Sequence, residues 1–99
     1  MAEAEQPTSG EEAPANKELI GEVFQFFGGP SVAAIKLTGD LKVGDEIWVE
    51  RGDNLSFKDK VKSMQIDRDD VESAGSGQDV GIKLKNKASN GNKVYRITG

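Results

Sequence analysis

The stretch LKVGDEIWVERG, residues 41–52, reads as a β-strand with its punctuation attached. A Gly-Asp turn precedes the strand and a second glycine follows it. Between them apolar and polar residues alternate, so over 46–51 Ile47 and Val49 share one face while Glu46, Trp48 and Glu50 take the other. The same two-residue period continues outward in both directions. Upstream, LIGEVFQFF (19–27) stops at Gly28-Gly29-Pro30, and SVAAIKL (31–37) stops at Thr38-Gly39-Asp40. Downstream of Gly52-Asp53-Asn54, LSFKDKVKSMQI (55–66) gives Phe57 and Val61 one parity and Met64 and Ile66 the other. A regular strand cannot exchange faces, which predicts a β-bulge near Lys62 and Ser63. DVGIKLK (79–85) turns Val80, Ile82 and Leu84 inward, and KVYRI (93–97) follows the Asn90-Gly91 turn. Six short strands, frequent turns and no amphipathic helix predict a small all-β barrel.

With 99 residues the chain builds one small domain. It has neither cysteine nor histidine. That removes disulfides, thiolate metal sites and thiol catalysis together, and with them the usual general base. No basic start precedes an apolar run and no stretch is long enough to span a bilayer, so the expectation is a soluble, cytoplasmic monomer. The net charge of -4 comes from the first 16 residues, where Glu3, Glu5, Glu11 and Glu12 stand without a basic residue. The remainder carries 13 acidic and 13 basic side chains and is neutral. Residues 1–16 also hold Pro7 and Pro14 and no branched aliphatic or aromatic residue, so they read as a disordered acidic tail ahead of a barrel over 17–99.

KVGDEI, VKSMQI, SGQDVGIKLK and KVYRI, in this order and spacing, resemble the second, β-barrel domain of translational GTPases such as elongation factor Tu. They are more similar still to small stand-alone translation elongation factor-like proteins, and similar to the barrel appended to collagenase-like peptidases of the RNA-modifying type. The likeness covers residues 18–98 and implies a closed six-stranded Greek-key barrel of the translation-factor second-domain type. It makes Val43-Gly44-Asp45 the tight turn into a barrel strand, with Gly44 in a conformation that a side chain would oppose. GTP hydrolysis does not follow, because the phosphate loop ending in Lys and Ser or Thr is missing; Gly75-Ser76-Gly77 reads as a turn, and no bound nucleotide or other cofactor is expected. In the full-length factors this barrel contacts the acceptor end of aminoacyl-tRNA, and the matching positions here are Glu22, Gly29, Gln65 and Asp79. Gly29 replaces the family's loop arginine and Gln65 its glutamate.

Other candidates come from the residues themselves. Arg51-Gly52-Asp53 spells an integrin-type tripeptide but reads as an ordinary glycine turn. Asp67, Asp69, Asp70 and Glu72 lack the spacing of a calcium loop and read as a solvated acidic loop. Trp48 points away from the Ile47 face, either as a stacking or docking platform or as a lid over neighbouring strands. Lys58, Lys60 and Lys62 form one period-two row, and Lys83, Lys85 and Lys87 another. Such rows either meet phosphate or protect sheet edges from pairing with other chains. The reading is a non-enzymatic module contacting RNA or an RNA-processing or translation complex. The alternative is a protein-docking module for an enzyme such as a collagenase-like peptidase.

Overall fold

The computed structural model describes residues 14–51 and 56–98. Ten β-strands and no helix occupy them: β1 Lys17–Phe27, β2 Val32–Leu37, β3 Leu41–Lys42, β4 Glu46–Glu50, β5 Phe57–Lys60, β6 Met64–Ile66, β7 Asp69–Val71, β8 Ser73–Ala74, β9 Asp79–Lys83 and β10 Lys93–Ile97. Eight of them form a single antiparallel sheet in the order β5-β4-β10-β1-β2-β9-β6-β7, and β3 pairs with β8 in a separate ribbon. The large sheet curls into a half-barrel. The closed six-stranded barrel is thereby corrected: among the described residues β5 and β7 end the sheet, and no ladder joins them. Residues 1–13, which hold most of the expected tail, and Gly52 and Asp53 of the tripeptide lie outside the described residues.

The predicted alternation places the core. Val23, Ile35, Ile47, Val49, Phe57, Val61, Met64, Val80, Ile82, Leu84 and Val94 are all buried in one apolar cluster. The parity change in 55–66 is real, but an interruption between two strands accommodates it rather than a bulge. β5 pairs with β4, whereas β6 pairs with β7 and β9, so Val61–Ser63 carries the chain from one part of the sheet to another. A strand that changes neighbours is free to change faces. The bulges fall instead in the long first strand, where the register slips between Leu19 and Gly21 and again between Val23 and Gln25. These slips let an 11-residue strand bend around the core.

The glycine turns follow the sequence reading. Gly44 has φ +98°, with the Asp45 amide donating to the Lys42 carbonyl. Gly75-Ser76-Gly77 closes with the Gln78 amide on the Gly75 carbonyl. The expected acidic loop is a hairpin instead. β6 and β7 meet through Asp67 and Arg68 at φ 51° and 69°, both in the left-handed region that two-residue hairpins require. Among the described residues no helix is long and apolar enough to cross a membrane.

Candidate functional site

The two lysine rows do not lie side by side along adjacent strands. Lys58 and Lys60 sit on edge strand β5 opposite Trp48 and Glu46, and no pairing joins β5 to β9. Lys62 belongs to the connection after β5; Lys83 ends β9, and Lys85 and Lys87 lie beyond it. The contact between these segments is a seam. There Asp59, 9% exposed, accepts the Lys85 amide on Oδ2 and the Lys60 amide on Oδ1, each at 2.7 Å. Leu84 is held from the other side, its amide donating to the Ser31 carbonyl and its carbonyl accepting the Ser31 hydroxyl. Lys62, Ser63, Lys83, Leu84 and Lys85 line a cavity of about 170 Å³ with Asp59. Three of the six candidate lysines therefore converge. Lys87 is exposed and instead presents its carbonyl to Arg51 Nη1 at 2.9 Å.

Trp48 corrects its expected exposure. Alternation sets it opposite Ile47 and Val49, yet it is only 2% exposed. Its register neighbours on that face are Lys58 and Tyr95, and Tyr95 in turn faces Leu19, a row of long side chains flanking the indole. Nε1 finds no hydrogen-bond partner among the described residues. Of the two sequence readings, burial fits the lid and not the platform.

Of the positions implied by the tRNA-end resemblance, Gln65 and Asp79 share one groove, which Glu22 and Gly29 do not line. Glu22 forms an exposed ion pair with Lys93 at 2.9 Å. Gln65 donates to Asp70 at 3.0 Å. Gln65 and Asp79 line a second, open groove of about 390 Å³ on the outer sheet face, together with Phe24, Phe27 and Arg68. Its floor is built from Ala34 and Gly81, register partners too small to fill it. Phe24 and Phe27 stay 46% and 44% exposed, Phe24 at the bulge that interrupts the alternation. Sequence reasoning missed these aromatics because they belong to a run, FQFF, that looks like core. It also missed Asp59, whose only signal is an acidic residue at an inward parity between Phe57 and Val61.

No protein-family model matches the chain. The half-barrel superposes on solved structures of the C-terminal domain of a Geobacillus thermoleovorans protein named as a U32 peptidase, with TM-scores of 0.74 and 0.77 at 18% and 17% identity. Those matches cover 78% and 82% of this chain and 96% and 93% of the solved domains. The fold is that of a U32 peptidase C-terminal domain. An uncharacterized protease of Methanocaldococcus jannaschii is 41% identical over 88 residues, and a collagenase of Porphyromonas gingivalis is 30% identical over 89. Each alignment takes in 89% of this chain but only 22% of the relative, so the chain spans about a fifth of the length of these homologues. Among the resemblances read from the sequence, these homologues favour the U32 peptidase-appended barrel over the translation-factor barrel.

Proposed function

We propose that this chain is a non-catalytic module that works docked on, or joined to, a collagenase-like peptidase of the U32 type. The observation that carries this reading is the combination of extent and fold. The chain matches about a fifth of each protease or collagenase relative, and its fold is that of a domain solved apart from the rest of such a protein. A piece of that size adds a surface to an enzyme built elsewhere. A composition without histidine or cysteine supports the same view, since a nucleophile and base would have to be assembled from carboxylates, lysines and hydroxyls alone.

Affinity capture with the full chain as bait tests the reading, with nuclease-treated and untreated lysates compared. The expected result is recovery of a U32-type peptidase polypeptide in both. Recovery only where nucleic acid is intact, or no such polypeptide in either, overturns it. RNA contact is a second reading, favoured by the convergence of Lys62, Lys83 and Lys85 on one cavity.

A further inference from the structure

We infer that the groove walled by Phe24 and Phe27 and floored by Ala34 and Gly81 is the surface on which a U32-type peptidase polypeptide docks, taking from it an apolar side chain flanked by a basic one. The inference rests on the docking reading and names the surface that performs it.

The aromatic wall comes first. Phe24 and Phe27 leave 46% and 44% of their surface in solvent while lining the same groove. A single apolar residue on a surface is ordinary, but two phenylalanines on one groove make a patch, and such patches mark contact sites. The core does not account for them. Phe26, between them in the chain, is the aromatic that packs against the buried cluster.

The floor is the second observation. Gln25, Ala34, Gly81 and Gln65 stand in register across β1, β2, β9 and β6, so the two smallest side chains lie at the centre of the row. Gly81 has an ordinary strand backbone outside the left-handed region, and a Cβ added there would meet only Val32 Cγ1, at 3.4 Å. The fold itself would accept a side chain at this position. A glycine inside a strand that the backbone does not require is the mark of a place where another group approaches closely.

Charge selects the occupant. Asp67 and Asp79 line the groove against Arg68 alone, which leaves its rim acidic. Residues 1–16 of this chain bring four glutamates and no branched aliphatic or aromatic residue, so they offer neither an apolar group nor a complementary charge. A second copy docked groove to groove about a two-fold axis would set Asp67 and Asp79 against the same carboxylates. What fits is a different polypeptide that presents an apolar side chain beside a lysine or arginine. The relatives indicate which one: this chain covers 22% of a protease and of a collagenase, so in each the matching segment belongs to a chain with a far longer remainder.

The test uses the full chain as bait in nuclease-treated lysate, with the U32-type peptidase polypeptide identified by mass spectrometry and quantified. Four baits are compared, each first shown to be folded by its melting temperature: wild type, F24S/F27S, A34R, and L19S/V43S. A34R fills the floor and sets a like charge against a basic partner without removing an aromatic. L19S/V43S removes exposed apolar residues that do not line the groove. Both groove variants should recover at least roughly tenfold less peptidase than wild type, as for truncation of aromatic anchors at an interface, and the control less than about twofold less. Equal recovery by the wild-type and groove baits, or an equal loss in the control, overturns the groove and leaves the docking reading standing. No peptidase on any bait overturns both. In a second measurement the isotopically labelled chain is titrated with a short single-stranded RNA and, separately, concentrated alone; the Gly81 and Gln65 amide resonances should not move. Movement with RNA assigns the groove to nucleic acid, movement on concentration assigns it to a second copy, and either result overturns the inference.

Discussion

Asp59 closes the seam between strand β5 and the chain beyond β9 with a single side chain, its Oδ2 atom 2.7 Å from the amide nitrogen of Lys85. Between these segments a carboxylate takes the place of a ladder of backbone bonds. Asp59→Ala would strip the Lys85 amide of this acceptor and should cost about 1–3 kcal/mol. For a domain of this size that corresponds to a fall in melting temperature of roughly 4–8 °C per kcal/mol. Asp59→Asn keeps one acceptor oxygen and should cost less. Denaturant unfolding checks both, and an Asp59→Ala protein within about 0.5 kcal/mol of the parent would show that the seam is held by packing alone.

Gly21 and Gly44 are irreplaceable for different reasons, and the two alanine variants should separate them. At Gly21 a Cβ would fall 2.7 Å from Ile35 Cγ2 and 2.8 Å from the Lys36 carbonyl oxygen. The second contact is backbone, so the strand pair must shift, at about 1–3 kcal/mol. At Gly44 nothing stands within 4 Å, and the penalty is the left-handed backbone alone. Gly44→Asn should therefore recover part of the stability lost in Gly44→Ala, because asparagine tolerates that conformation, whereas Gly21→Asn should be worse than Gly21→Ala. Melting temperatures of the four variants decide the matter.

Trp48 is the sole tryptophan, so its fluorescence reports its burial directly. At 2% exposure the emission should be blue-shifted and poorly quenched by acrylamide. Trp48→Ala should cost about 3–5 kcal/mol. Trp48→Phe loses volume but also removes a buried N–H without a partner, two opposing effects that should leave a smaller loss. A red-shifted, readily quenched parent spectrum would restore the exposed-platform reading.

Asp67 and Arg68 occupy a two-residue hairpin turn with positive φ at both positions. Asn-Gly is the pair such a turn prefers. Replacing both residues with Asn-Gly should raise stability by about 1 kcal/mol or more, since a non-glycine residue in this region costs of order 1–3 kcal/mol. An unchanged or lowered unfolding midpoint would mean that Arg68 contributes contacts outweighing its backbone strain.

Much of the fold was legible because burial in strands has a period of two. Ile47 with Val49, and Val80 with Ile82 and Leu84, announced their faces, and all are buried. The change of parity between Val61 and Met64 was also legible, as was the need of Gly44 for a left-handed backbone. Three short strands were not. β3 and β8 are two residues each and β7 lies in an acidic run, so none is long enough to show a period.

Alternation along a strand is a local property of the backbone, and one sequence is enough to determine it: an all-β domain, its inward residues, and its glycine turns. Which strands are neighbours depends on contacts between residues far apart in the chain, and only the tertiary structure decided that. It split 55–66 between two regions of the sheet, buried Trp48 on the face alternation had turned outward, and left Phe24 projecting at a bulge. It also drew Lys62, Lys83 and Lys85 out of two rows into one cavity beside Asp59. Parity tells a side chain which face to take, but what covers that face is supplied by other segments, and their arrangement follows from packing the whole core at once.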